Sequence, residues 1–323
     1  MRRWLLYALI WAGILSGLAG LGLYSYYLSP GPMEAPVTVI LPKGGVQGTA
    51  ATLSESGVVA WPLAFKIVAV ASGQHKKLKA GEYIFEPGMS PKDVLGKLVR
   101  GEVVIRKFTV PEGLSAWEVV ERLKAEAAMT GEITALPQEG SLLPETYHFA
   151  YGDDRAALLA RMAQDHEKTL NALWASRQEN LPWKTPAEAV IAASIVEKET
   201  GHVEERDRVA SVFANRLRIG MKLQSDPTVI YGITSGKGPL GRDLTRADLE
   251  RDTPYNTYTR EGLTPGPIAN PGKASLEAVL NPPVTKDLYF VATGQGDGRH
   301  FFAESLEEHN RNVTRYRLTQ RKP

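Results

Sequence analysis

The sequence has no cysteine, and that absence excludes disulfides, thiolate nucleophiles and cysteine metal sites together. It also has no Walker loop, no dinucleotide fingerprint after a strand, no Gly-x-Ser-x-Gly elbow and no His-Glu-x-x-His helix. The six histidines show no metal-ligand spacing, and nothing in the sequence asks for a cofactor. Charge of either sign is nearly balanced, with a formal net charge of +2. No basic tract is interleaved with aromatics, so no nucleic-acid partner is expected.

What is present is ordinary for a globular protein: 323 residues, 43% hydrophobic and 23% charged, enough for about two domains. The N-terminus departs from that average. No charged residue occurs from Trp4 to Met33, and Trp4 to Leu28 is apolar enough and long enough to cross a hydrocarbon core of about 30 Å as a helix. Arg2 and Arg3 precede this run, and Trp4, Tyr24, Tyr26 and Tyr27 flank it, which places residues 1–3 in the cytoplasm and the body outside it. A cleaved signal peptide is the competing reading, since Gly17, Ala19 and Gly20 are small. The apolar core exceeds a usual signal peptide's, which favours a retained single-pass anchor over 4–28. Ser29-Pro30-Gly31-Pro32 then breaks the helix and opens a linker over 29–35.

From 36 to 128 the sequence repeats a pattern of β-like run, proline and glycine turn, and helical run. It begins at Val37, again at Gly81 and again at Val104; the strands end at Pro42, Pro87 and Pro111, and Ser90 and Ser115 stand where N-caps are wanted. Units this small cannot bury a core singly, so one or two compact α+β modules are expected. The pattern resembles LysM-type modules, which implies binding of N-acetylglucosamine-containing glycans. A spacer holding the next domain off the membrane is the alternative.

The remainder, 129–323, reads as a second domain. Met129 to Pro144 is rich in Gly, Thr and Pro and is expected to be the connection, followed by a loop at Glu145-Thr146-Tyr147-His148 with a partly buried tyrosine. Asp154 to Trp174 is an amphipathic helix, with His166 expected at the surface. The next helix, from Pro186, carries the most telling residue. Thr185, Pro186 and Glu188 mark its start as a capping box with proline at the first position, and Gly201 is the expected stop. At about 100° per residue, Ile191, Ala192, Ile195 and Val196 share an arc, and Glu199 falls within it while Glu197 points away. A carboxyl on the buried face of the last turn should have its pKa raised by desolvation and by the helix dipole, which is how a general acid is made. The bland alternative is a solvated Glu199, or one paired with Arg206 or Arg208.

A further helix with Val209, Val212, Phe213 and Leu217 at core spacing stops at Gly220. Gln224 to Tyr231 reads as an extended polar segment around Pro227, and Tyr255-Asn256-Thr257-Tyr258 lies beside a proline and glycine-rich loop. Alternating rings and amides suit a carbohydrate groove. A helical run begins at Ser275, a β-hairpin turns at Gly294–Gly298, and a polar and basic tail follows Leu306.

Taken in order, LPETY at Leu143, SIVEKET at Ser194, ERDRVASVFANRL at Glu205, LQSDPTVIYG at Leu223, YNTY at Tyr255 and GLTPGPIANPG at Gly262 resemble the MltG (YceG-like) family of membrane-anchored endolytic murein transglycosylases. The resemblance implies an α+β protein: a single transmembrane helix, small LysM-like α+β modules, then a mixed α/β catalytic domain with its catalytic glutamate on a helix. It implies Glu199 as the catalytic acid, with Thr200 in the place of the hydroxyl residue that follows the acid in other lytic transglycosylases. It also implies a substrate groove, for which the candidates are Glu145, Gln224, Asp226, Thr228, Tyr231, Tyr255, Asn256 and Tyr258, and peptidoglycan glycan strands and peptidoglycan synthases as partners. The implied reaction cleaves the MurNAc–GlcNAc β-1,4 bond in nascent strands and leaves 1,6-anhydro-MurNAc ends, terminating glycan elongation. Two alternatives stay open: a hydrolase enlisting Asp226 or Glu145 as a second acid, and a noncatalytic glycan-binding scaffold of the cell-wall synthesis machinery.

Overall fold

The computed structural model describes residues 2–320 and contains both helices and antiparallel strands. Helix α1 (Arg2–Leu28) is, among the described residues, the one helix long and apolar enough to cross a membrane. The chain forms two compact units, one of residues 1–106 and 148–153, the other of 107–147 and 154–323.

The first unit follows α1 with strand β1 (Val37–Leu41), helices α2 (Val46–Glu55) and α3 (Pro62–Ala71), strand β2 (Gly81–Phe85) and helix α4 (Pro91–Arg100). The two strands pair antiparallel with Val37 opposite Phe85 and Leu41 opposite Gly81. Their inward residues Val39, Leu41, Tyr83 and Phe85 meet Leu53, Phe65, Val94, Leu95 and Leu98 from the helices in one core. Ser90 caps α4 in a reciprocal capping box with Asp93, as its position before Pro91 predicts.

Strands β3 (Ile105–Thr109) and β4 (Thr146–Ala150) each carry residues of both units. Helix α5 (Ala116–Ala125) starts at Ser115 with a second capping box, through Glu118, so the third strand-turn-helix forms as expected, but its helix belongs to the second unit. Met129 to Pro144 is likewise part of that unit, with Leu142 and Leu143 buried in it. Thr146 to His148 is strand, not loop, and Tyr147 is buried. His166, expected at the surface, is buried on helix α6 (Arg155–Ala175), and burial lowers its pKa.

The second unit is built around helix α7 (Pro186–Glu199). Every residue from Ala189 to Val196 is buried, because helices α6, α8 (Arg206–Arg218), α9 (Asp226–Thr234) and α11 (Lys273–Leu280) pack around it. The single buried arc read from the sequence is therefore too narrow; the middle of this helix is buried on all sides, as in a central core helix. Thr185 caps it by accepting from the Glu188 N–H, but the Glu188 carboxylate accepts from Lys184, one residue before the cap, so the box is not closed. The helix also ends before Gly201, where Thr200 turns extended at φ −136° and ψ 125°.

Two more segments differ from expectation. The Gln224–Tyr231 stretch contains α9, with Asp226 and Pro227 in its first turn. Beyond the short helix α10 (Arg246–Glu250), the antiparallel hairpin of β5 (Tyr289–Ala292) and β6 (His300–Ala303) forms as predicted. The stretch after Leu306 is helix α12 (Leu306–Gln320), held on the hairpin where His309 stacks on Tyr289 and Arg315 lies over Phe301.

Candidate active site

The last turn of α7 carries two glutamates with different surroundings. Glu197 is buried and satisfied: its side chain is 5% exposed, Arg206 at the start of α8 donates to its Oε1 at 3.3 Å, and the Gly272 N–H donates to its Oε2 at 2.9 Å. Arg206 also reaches Glu112 at 3.3 Å. Glu197 thus ties α7, α8 and the segment before α11 together as a structural acid.

Glu199 receives a hydroxyl instead. Ser225 Oγ donates to Glu199 Oε1 at 2.5 Å. Burial pushes the Glu199 carboxyl up to about 7, the neighbouring Asp226 charge adds to the rise, and the Ser225 hydroxyl and the Arg216 charge oppose it. A carboxyl that holds its proton near neutrality is suited to protonate a leaving oxygen and afterwards to accept a proton back. Neither Arg206 nor Arg208 pairs with Glu199, since Arg208 is engaged by Asp287 at 2.6 Å. Thr200 does not serve it either; its Oγ1 accepts the His202 N–H at 3.0 Å and shapes the turn that ends the helix.

The segments flanking Glu199 are knitted by Thr257. Its hydroxyl accepts the Ser225 N–H at 3.0 Å, and its carbonyl accepts the Gln224 N–H at 3.1 Å. Gln224 is held at φ +50°, a conformation that a non-glycine side chain adopts at a cost of about 1–3 kcal/mol and that clusters at functional sites. Directly after it stands Ser225, with its hydroxyl on Glu199. Asp226 follows, exposed, and accepts the Tyr258 hydroxyl at 2.6 Å.

Of the eight groove candidates, Asp226 and Tyr258 lie with Glu199 in one electrostatic cluster, and Gln224 adjoins Ser225 at the surface. Tyr231 and Tyr255 pack ring to ring at 4.9 Å, and Tyr231 donates to Glu139 at 3.2 Å. Tyr231, Pro227 and Lys198 help line a cleft of about 580 Å³ alongside α9. Thr228 and Asn256, by contrast, are turned into the protein. Thr228 is buried and bonds to the Ser225 carbonyl at 2.6 Å, and Asn256 is buried with its amide on the carbonyls of Leu249 and Arg251 at 2.9 and 2.7 Å. Glu145 is exposed beside Glu112 and takes no part in the Glu199 cluster.

Three contributors escape a reading of the sequence alone: Ser225, Glu139 and Arg216. Arg216 is buried on α8 and donates to the carbonyls of Leu288 and Leu223, both at 2.6 Å, so backbone fixes the guanidinium whose charge lowers the Glu199 pKa. Its place beside Phe213 and Leu217 on the core-facing side of α8 is the one sign of it in the sequence. No group of three or more His, Asp or Glu side chains that could hold a metal occurs among the described residues.

The sequence profile of the YceG-like family matches residues 39–315. The chain belongs to the YceG-like family. Among curated relatives, the endolytic murein transglycosylase of Bacillus subtilis strain 168 is 31% identical, covering 88% of this chain and 85% of that protein. The endolytic murein transglycosylase of Streptococcus pneumoniae serotype 2 strain D39 is also 31% identical, covering 87% of this chain. This YceG-like chain spans 58% of the length of that pneumococcal relative. The crystal structure of a putative YceG-like protein from Listeria monocytogenes superimposes with a TM-score of 0.52 at 29% identity, covering 86% of this chain and 99% of that one.

Proposed function

We propose that this chain is an endolytic murein transglycosylase, a lyase acting on peptidoglycan, with Glu199 as its catalytic acid and base. The observation that carries the reading is the Glu199 carboxyl: buried, raised to about 7, and in contact with a hydroxyl rather than a cation. The names of the relatives support the same activity.

In the proposed reaction Glu199 donates its proton to the glycosidic oxygen as the bond from that oxygen to C1 of MurNAc breaks. The carboxylate, held by Ser225 Oγ, then takes the proton of the sugar's own C6 hydroxyl as O6 bonds to C1. The products are a 1,6-anhydro-MurNAc end and a free GlcNAc hydroxyl, and Glu199 regains its proton. Because the nucleophile is part of the substrate, effective molarity replaces a positioned water and one carboxyl suffices. Gln224, Asp226, Tyr231, Tyr255 and Tyr258 are proposed to contact the glycan, rings against sugar faces and polar groups against hydroxyls.

Helix α1 is proposed to anchor the protein in the inner membrane with its N-terminus in the cytoplasm, as the arginines before it favour. The β1–β2 unit is proposed to be a LysM-like module, serving the glycan or serving as a spacer, and peptidoglycan synthases are the proposed partners in terminating new strands.

Asp226, exposed next to the Glu199 cluster, favours one rival, a hydrolase with a second acid. Digestion of purified murein separates the two: anhydro-sugar ends are expected from the wild type, and reducing ends alone would exclude the transglycosylase. Glu199→Gln is expected to keep the fold and lower the rate by about 10²–10⁴-fold.

A further inference from the structure

Helix α3 is apolar where a water-facing helix is polar. Phe65 and Ala69 are buried in the core of their unit, while Leu63, Ile67 and Val70, spaced as one stripe, are 67%, 43% and 46% exposed. Trp61, directly before the helix, is 63% exposed. Lys66 is the one charged side chain on α3, and it is bound to Gln47.

The stripe continues the surface of α1. Tyr26 stacks on Trp61 with ring centroids 5.4 Å apart and donates to the Trp61 carbonyl at 3.2 Å. Leu23 joins Trp61, Leu63 and Ile67 around an apolar groove of about 470 Å³. Leu23 precedes the end of α1 at Leu28 by about 7.5 Å, at 1.5 Å of rise per residue. That depth falls within the ~5–10 Å to which an interfacial helix buries its apolar face. After α3 the chain exposes Lys76, Lys77 and Lys79, the charge that anionic headgroups attract.

We propose that α3 is an interfacial membrane helix, with Trp61, Leu63, Ile67 and Val70 lying in the headgroup and acyl boundary of the bilayer that α1 crosses. The inference rests on the reading of α1 as a membrane span. Its occupant is lipid, because the groove is shared with a helix whose own exposed surface is suited to lipid. The first unit is then seated on the bilayer at two elements.

The absence of native cysteine makes the test direct. Single-cysteine variants of the full chain at Leu63, Ile67, Leu18 and Lys43 are spin-labelled in vesicles of phosphatidylethanolamine and phosphatidylglycerol, and collision with oxygen is compared with collision with a water-soluble nickel chelate. Labels at Leu63 and Ile67 are expected to favour oxygen severalfold over the label at Lys43, as the Leu18 label does. If Leu18 reports lipid while Leu63 and Ile67 match Lys43, the inference fails and the anchor stands. If Leu18 also matches Lys43, the anchor reading fails and the inference falls with it. Labels at Leu63 and Ile67 that are shielded from both reagents and broadened by a second label would show a second copy covering the stripe, which also overturns the inference.

Discussion

Ser225 Oγ donates to Glu199 Oε1 at 2.5 Å, joining the start of α9 to the end of α7 across 26 positions of sequence. This bond favours the carboxylate over the acid, so it both aims the carboxyl and lowers its pKa against the stronger effect of burial. Ser225→Ala should therefore move the alkaline limb of the pH–rate profile to higher pH and reduce kcat by about tenfold or more. A fall in rate with an unmoved limb would assign Ser225 a merely structural part.

In the proposed reaction Glu199 acts first as an acid, so kcat/KM should fall as pH rises through about 7. Stability should follow the same sign. The native carboxyl keeps its proton above the range in which the unfolded chain releases it, so native stability is fullest below about pH 4.5 and declines as pH rises to about 7. The decline is on the order of 3 kcal/mol from this group. Denaturant titrations of the wild type and Glu199→Gln across that window should differ in slope, the variant being flatter.

Asp226 raises the Glu199 pKa, so Asp226→Asn should shift the alkaline limb to lower pH. The variant should still release anhydro-sugars, because the proposed reaction asks no second carboxyl to activate water. Tyr258→Phe, which removes the hydroxyl bonded to Asp226 at 2.6 Å, should leave product identity unchanged as well.

Glu197→Gln should reduce stability far more than catalysis. It leaves the buried Arg206 with Glu112 alone as its carboxylate partner, at an expected loss of about 1–3 kcal/mol, while the Ser225–Glu199 pair is untouched. Thermal melts and turnover per folded molecule, measured side by side, check this division.

Local chemistry made much of this architecture legible from sequence. Ser90 before Pro91, Ser115 three residues before Glu118, and the glycines between β5 and β6 each determine a feature within a few residues. The Asp226–Thr234 helix was not legible, because Thr228, Val229 and Ile230 are β-branched and favour strand until packing against α7 decides otherwise. The stretch after Leu306 has no apolar stripe, and it becomes a helix through contacts with Tyr289 and Phe301 made far along the chain. At the site, helical spacing picks out Glu199 and turns Glu197 away, but both are drawn into the protein, so burial does not distinguish them. Their partners do, and those lie at Ser225, Arg206 and Gly272.

Helix α9 begins without a side-chain cap, although a serine stands at its capping position. Pro227 has no N–H to offer, so the Thr228 N–H is the natural partner of a Ser225 cap, a bond ordinarily worth about 0.5–2 kcal/mol. Ser225 turns to Glu199 instead. In the proposed reaction activity and heat resistance therefore compete for one hydroxyl, and Glu199→Ala, which releases it, should melt above the wild type at pH 8 while cleaving nothing.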